Sequence, residues 1–233
     1  MVEITVVKLS NMISFQKKLL NFVSLERKIK TISLKNEQDK KQSLISELLI
    51  RKTASDYLNV PMEQLKISYN PYGKPYIDNI RHFNFNISHS DDFVVIATIE
   101  VGDDGNGIDI EKVKQINIDI AKRFFTNKEY EYISSFQSEK EKEFAFYQLW
   151  TLKESYVKAL GQGISIPLNS FEVFMENSVI TVNYNNKKNY HFYTTKINEY
   201  ILSVTFQNER INKQYNLLKE KDFYNTFQSN IIC

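Results

Sequence analysis

Apolar residues recur along this 233-residue chain in two rhythms, every second position in short runs and every third or fourth in longer ones. Residues 2–9 alternate, which predicts a strand with Ile4, Val6 and Lys8 sharing one face. Residues 14–32 space Phe15, Leu19, Phe22 and Leu25 as one helix that ends in the basic group Arg27-Lys28-Ile29-Lys30. A second helix starts near Asn36, gathers Leu44, Ile45, Leu48, Leu49 and Leu58 on one face, and is stopped by Pro61. Pro71, Gly73 and Pro75 mark residues 69–75 as a turn. Residues 83–87 and 93–99 read as strands separated by Ser88-His89-Ser90-Asp91-Asp92. Residues 103–107 form a further turn, leading into a strand that contains two acids.

The second half carries helix punctuation. Thr126 with Glu129, and Ser138 with Glu141, each match the capping-box spacing at a helix start. The second pair opens a helix over residues 139–160 that buries Phe144, Tyr147, Trp150 and Val157 and ends at Gly161. Residues 171–206 then alternate in four β-rich runs, and residues 211–228 read as a helix with a frayed tail. Each half holds strands plus one or two helices. The expected fold is α/β (α+β), with one subdomain over 1–104, a second over 105–233, and a cleft near residues 100–112.

Composition narrows the class. An apolar share of 42% and a charged share of 25% are those of an ordinary folded protein. The longest apolar run, residues 93–99, is too short to span a bilayer, and the first residues lack a signal-peptide pattern. The single cysteine, Cys233, supports neither an internal disulfide nor a cysteine-based zinc site, so a reducing cytoplasm is expected. Charge is unevenly spread. Residues 1–60 hold 11 Lys/Arg against 6 Asp/Glu, whereas residues 91–143 hold 7 against 13. That asymmetry suits an anion on one segment and a metal on the other, although solvated helix faces give the same counts. No zinc-finger spacing or aromatic RNA-binding signature points to nucleic acid.

The chemistry concentrates between Gly107 and Lys158. In Gly107-Ile108-Asp109-Ile110-Glu111 the two acids stand two residues apart, so on a strand both point to one side. Alone, such a pair is usually the polar face of a half-exposed strand. In Trp150-Thr151-Leu152-Lys153-Glu154-Ser155, with Lys158 beyond it, Glu154 and Lys158 are helix neighbours, worth about 0.2–0.5 kcal/mol as a surface pair. Their helix is apolar around much of its circumference, and a half-buried glutamate needs a cationic partner. Three carboxylates and a lysine suit magnesium on a phosphate-bearing substrate. His82, His89 and His191 are scattered, which disfavours zinc. Ser88 and His89 at a strand end, and Lys74 in a constrained turn, offer further anion contacts. Neither a G-x-S-x-G elbow nor a P-loop is present.

Taken together, Tyr72-Gly73-Lys74-Pro75, Phe85-Asn86-Ile87-Ser88-His89-Ser90, Gly107-Ile108-Asp109-Ile110-Glu111, Ala121-Lys122-Arg123-Phe124-Phe125 with Glu129-Tyr130, and the Trp150–Lys158 motif resemble the 4′-phosphopantetheinyl transferase superfamily in its larger, Sfp-type form. The order and spacing of these motifs, over roughly residues 1–175, are specific to that family. The resemblance implies two similar subdomains in pseudo-twofold relation, with coenzyme A between them, in a monomer. It implies transfer of phosphopantetheine from coenzyme A to a serine of an apo acyl or peptidyl carrier protein, releasing adenosine 3′,5′-bisphosphate. Fatty acid, polyketide and peptide synthesis are the pathways it brings into view. By the same resemblance Asp109, Glu111 and Glu154 hold Mg²⁺, and Lys158 binds phosphates and assists the leaving group. Lys74 and Pro75 line the adenine end, Ser88 and His89 reach the coenzyme's phosphates, and Arg27 and Lys30 add positive charge. Glu154 is the expected proton acceptor for the carrier serine.

One departure stands out. Where family members often carry an arginine for the coenzyme's 3′-phosphate, this chain has Gln42, with Lys40 or Lys41 as substitutes lacking arginine's bidentate fork. The acidic carrier is expected to dock on residues 112–125, anchored by Val113, Ile116 and Phe124, unless these pack a helix onto the sheet. A silent binder of the same fold and an unrelated Mg²⁺-dependent nucleotide hydrolase are the alternatives.

Overall fold

The computed structural model describes residues 1–80, 82–99, 105–176, 179–183, 189–207 and 210–227. Its elements run β1 (Val2–Lys8), α1 (Leu25–Ser33), α2 (Glu37–Leu58), β2 (Ile67–Tyr69), β3 (Pro75–Ile77), β4 (Asn84–Ser90), β5 (Phe93–Ile99) and β6 (Gly107–Lys112). There follow α3 (Ala121–Phe124), α4 (Asn127–Ser134), α5 (Glu139–Leu160), β7 (Glu172–Glu176), β8 (Val179–Asn183), β9 (Tyr190–Ile197), β10 (Tyr200–Gln207), β11 (Asn216–Lys219) and α6 (Glu220–Asn225). Among the described residues no helix is long and apolar enough to cross a membrane.

The chain divides into two compact units. The first takes the described parts of Met1–Tyr69, Pro75–Gly102 and Ile211–Cys233; the second takes those of Asn70–Lys74 and Asp103–Arg210. The expected boundary after residue 104 therefore needs correcting at the C-terminal end. Residues 216–219 form a strand that pairs parallel with β1, and this draws the segment back to the first unit. The helix expected over 211–228 is accordingly only α6, preceded by β11. The turn expected over 103–107 falls partly outside the described residues.

In the first unit the sheet order is β11-β1-β5-β4, with β5 antiparallel to both neighbours. Phe93, Val94, Val95, Ile96 and Ala97 of β5 are all buried, the continuous apolar run of a strand covered on both faces. Leu44, Ile45, Leu48 and Leu49 of α2 join Val7, Phe85, Val94 and Ile96 in one core. The single helix expected over 14–32 is broken. A 3-10 turn at Lys17–Phe22 stops before Ser24, which caps α1 by accepting from the Arg27 amide. Buried Glu47 receives both the Ser24 amide (2.6 Å) and its hydroxyl (2.9 Å), which fixes the break. Leu25 consequently points outward, 72% exposed, instead of sharing the core face.

Lys41 is the buried anchor of this unit. Its ammonium donates to Ser10 O (2.7 Å), Ile13 O (3.1 Å) and Glu220 Oε2 (3.2 Å). Three donors thus meet three acceptors and tie α2 to α6, so Lys41 is withdrawn from the coenzyme role considered above. Lys41→Met should cost about 3–5 kcal/mol in urea unfolding, because it strands a buried carboxylate.

The second unit has sheet order β6-β10-β9, antiparallel throughout, with α5 lying across it. Both expected capping boxes are present, at Thr126 for α4 and Ser138 for α5, and Gly161 ends α5 in the left-handed conformation at φ 72°. Leu149, Leu152, Tyr156 and Val157 of α5 pack with Phe125, Ile133, Phe171 and Val173.

Candidate active site

Three features of β6 and α5 bring the acidic motif and the lysine motif together. Gly107 comes first, because its lack of a side chain lets β6 approach the α5 backbone: a Cβ there would stand 1.9 Å from Ser155 O. Next, α5 is fixed to β10 by two buried hydroxyl pairs, Thr151 Oγ1 with Ser203 Oγ and Ser155 Oγ with Thr205 Oγ1, both 2.8 Å. Ser203 and Thr205 lie directly across the ladder from Asp109 and Gly107. By strand alternation Gly107, Asp109 and Glu111 therefore share the face against α5, while Ile108 and Ile110 point the other way and are fully buried.

On that face Lys158 Nζ lies 2.6 Å from Asp109 Oδ1 and also donates to Ile108 O at 3.1 Å. Asp109 is almost entirely buried, and the Lys158 side chain keeps 27% exposure. Glu154, one turn earlier on α5, has its carboxyl pushed above the ordinary 4.5 by burial first and by the Asp109 charge second, with Lys158 opposing. Glu111 acts on a different partner. Burial raises the phenol of Tyr147, and the Glu111 charge adds to that rise. Tyr147 lies seven residues before Glu154, about 10 Å along the helix. Glu154 thus senses the Asp109 charge, and Glu111 stands further along the same strand.

Among the described residues no three His, Cys, Asp or Glu side chains form a ready-made metal cage. Asp109 and Glu154 are the two carboxylates that could share a hard cation, which would complete its shell with water and phosphate oxygens. Glu154 supplies the positive observation: its carboxyl, raised by burial and by the Asp109 charge, is one that a divalent cation could stabilise in the ionised form.

The Tyr72-Gly73-Lys74 turn joins the same unit. Asn70 Oδ1 accepts from the amides of Tyr72 and Lys74 at 2.9 Å each, and Asn70 Nδ2 donates to Gly161 O at 2.9 Å. Lys74 Nζ donates to Asn106 O at 3.0 Å, just before β6. Lys74 is therefore held at the α5 terminus near which Lys158 lies. Pro75 begins β3 and pairs with Tyr69.

The remaining predicted residues belong to the first unit. Ser88 and His89 lie inside β4, not in a loop; only Asp91 and Asp92 turn the chain, with Asp91 at φ 39°. Ser88 is buried and His89 exposed. Arg27 Nε pairs with Glu47 Oε2 at 3.4 Å and its Nη2 donates to Tyr69 OH at 3.0 Å, while Lys30 is exposed in the last turn of α1. Gln42 Nε2 donates to Asp91 O at 2.8 Å, so the position of the missing arginine helps to hold the β4–β5 turn.

Sequence reasoning missed Asn70, the Thr151–Ser203 and Ser155–Thr205 pairs, and the buried Lys153–Glu129 ion pair at 2.7 Å. For the hydroxyl pairs the signal was present as Thr151 and Ser155 four apart on α5 and Ser203 and Thr205 two apart on β10. Of the proposed docking anchors, Ile116 and Phe124 pack against the α5 core, the latter edge-on to Trp150 at 5.3 Å. Ile120, Lys122 and Arg123 are exposed, as are Lys114, Gln115, Asn117 and Asp119 of that segment, and Lys122 pairs with Asp119 at 2.8 Å.

Comparison with known proteins places the chain in a family. Residues 14–101 match the 4′-phosphopantetheinyl transferase N-terminal family, and residues 105–205 match the 4′-phosphopantetheinyl transferase superfamily. The chain is 40% identical to the 4′-phosphopantetheinyl transferase gsp of Aneurinibacillus migulanus over 81% of its length and 78% of that protein's. It is 35% identical to the 4′-phosphopantetheinyl transferase Sfp of Bacillus subtilis strain 168, over 67% and 68%. A crystal structure of a holo-(acyl-carrier-protein) synthase from Bacillus anthracis shares 20% identity at a TM-score of 0.39, covering 43% of this chain and 92% of that one. On the coverage and identity of these relatives, the chain belongs to the 4′-phosphopantetheinyl transferase superfamily.

Proposed function

We propose that this transferase uses Asp109, Glu111 and Glu154 to hold Mg²⁺ while it moves phosphopantetheine from coenzyme A to the serine hydroxyl of an apo carrier protein. The serine oxygen forms a bond to the phosphopantetheine phosphorus, the pyrophosphate P–O bond breaks, and adenosine 3′,5′-bisphosphate leaves. The observation that carries this reading is the Asp109–Lys158 pair with Glu154 beside it, on a strand and helix held at backbone contact. When bound, Mg²⁺ supplies Lewis acidity on the pyrophosphate oxygens. Lys158 contributes a fixed cation for phosphate charge, and phosphoryl-type transfer depends mainly on such neutralisation and placement. Glu154 takes the serine proton. Lys74 and Pro75 serve the adenine end, and Arg27, Lys30, Ser88 and His89 the coenzyme phosphates.

Intact mass spectrometry of an apo carrier incubated with the protein, coenzyme A and Mg²⁺ tests the reading. One added phosphopantetheine per carrier, lost with EDTA, is expected; an unmodified carrier across fatty-acid and peptide types rejects it.

Glu154 sets the pH response. As pH rises from the ordinary 4.5 through its raised value, the folded protein holds a proton that the unfolded chain has released, so without metal stability falls across that window. Mg²⁺ should reverse this sign, because it binds the ionised form. Melting temperatures with and without Mg²⁺ between pH 4 and 8, values chosen to bracket roughly that window, should diverge upward in pH. Glu154→Gln should remove the divergence and lower kcat by about 100-fold or more.

Ile120, Lys122 and Arg123 are the proposed carrier contacts in residues 112–125. Lys122→Glu should raise the carrier KM several-fold and leave the coenzyme KM alone; an unmoved carrier KM places docking elsewhere.

A further inference from the structure

We propose that Lys153 and Glu129 are positioning residues for the transfer chemistry, locking the rotation of α5 so that Glu154 and Lys158 face β6. The inference rests on the functional reading above. Lys153 immediately precedes Glu154, yet its side chain is fully buried. Its ammonium meets Phe171 O at 2.6 Å, Leu168 O at 2.8 Å and Glu129 Oε1 at 2.7 Å, one acceptor for each of its three donors. It also lies 4.3 Å from the centroid of the Phe171 ring.

Glu129 is committed in turn. Its Oε1 accepts from the Val173 amide at 2.8 Å and its Oε2 from the Thr126 amide at 2.9 Å, as the third helical residue of the α4 capping box. One carboxylate thereby joins α4, β7 and α5.

The direction of these bonds matters most. At 3.6 residues per turn, Thr151 and Ser155 each lie about 160° around the helix from Lys153. Those two hydroxyls bind Ser203 and Thr205 on β10. α5 is therefore gripped by polar contacts on opposite sides, with Glu154 and Lys158 about 100° and 140° from Lys153, between the two grips. A roll of about 20° at a side-chain radius of about 5–6 Å would move their tips by about 2 Å. Misplacement on that scale is enough to lose about 100-fold in rate. An apolar residue at 153 would fill the same space without specifying the roll.

The test compares the parent, Lys153→Met, and the double variant Lys153→Met/Glu129→Met, which leaves no stranded charge and so keeps the question open if the single variant does not fold. Lys41→Met, a comparable loss in the other unit, is the control. The double variant is expected to fold by circular dichroism and to lose about tenfold or more in kcat. Its affinity for Mn²⁺, used as the probe and followed by the electron spin resonance of free Mn²⁺, should fall about fivefold. Parental kcat in the folded double variant overturns the proposal whatever its melting temperature. So does an equal kcat loss in folded Lys41→Met, which would mark a general effect of destabilisation. If the parent itself modifies no carrier, the functional reading fails separately, and the Mn²⁺ comparison decides alone: equal affinities overturn the positioning role.

Discussion

Asp109→Asn is expected to lower carrier modification by about 100-fold or more while the protein remains folded. The substitution keeps size and one acceptor oxygen, turns the other oxygen into an NH2 donor, and removes the charge that Lys158 meets at 2.6 Å. Lys158 retains Ile108 O and partial solvent exposure, so the stranded-cation penalty is modest. Catalysis loses two things at once. A metal ligand becomes a neutral amide, and Lys158 loses the carboxylate that orients it. A third effect gives the variant a signature. The Asp109 charge is the second cause of the raised Glu154 carboxyl, so its removal should shift the remaining acid limb of the pH–rate profile downward. Initial rates from intact mass spectrometry between pH 5 and 8, a range set above roughly the ordinary carboxylate values, measure both effects. A rate within threefold of the parent would remove Asp109 from the metal site, and an unmoved acid limb would deny its coupling to Glu154.

Much of this arrangement was legible in the chain because the local signals agreed with one another. The α5 boundaries follow from Ser138, Glu141 and Gly161, all of which do in the structure what capping chemistry requires. The alternation in Gly107-Ile108-Asp109-Ile110-Glu111 correctly puts both acids on one face of β6. It did not reveal that this face lies against a helix. That knowledge depends on Gly107 and on the Ser203 and Thr205 hydroxyls of β10, nearly 100 residues away. Long-range polar commitments were the general blind spot. Lys41 reads as one of a pair of surface lysines, and only Glu220, brought back by β11, makes it a core residue. Similarly, residues 14–32 have unbroken helical spacing, and the break at Ser24 is imposed by Glu47 from a different helix. Periodicity reports which face is apolar; it does not report which buried carboxylate will claim a backbone amide.

Gly107→Ala should be as damaging as loss of a catalytic group, although it removes no functional atom. The added Cβ would lie 1.9 Å from Ser155 O, 2.9 Å from Ser155 C and 2.6 Å from Ala159 N. All three are backbone atoms of α5, so no rotamer change can relieve the contact; strand and helix must separate. Separation pulls on the Ser155–Thr205 hydroxyl pair beside it and widens the gap that Lys158 spans to Asp109. Overpacking of this kind costs about 1–3 kcal/mol and sometimes more, about 2–4 °C in melting temperature per kcal/mol at this chain length. The rate should fall further than stability, by about 100-fold, because the displaced groups are the reactive ones. Gly105→Ala provides the contrast two residues upstream. The three atoms nearest its new Cβ all belong to the Gln207 side chain, with Oε1 at 2.6 Å, and a side-chain end can swing aside. Circular dichroism melts and carrier modification rates for the two variants should therefore differ sharply. Equal, mild effects would mean that the close approach of β6 to α5 is not what Gly107 provides.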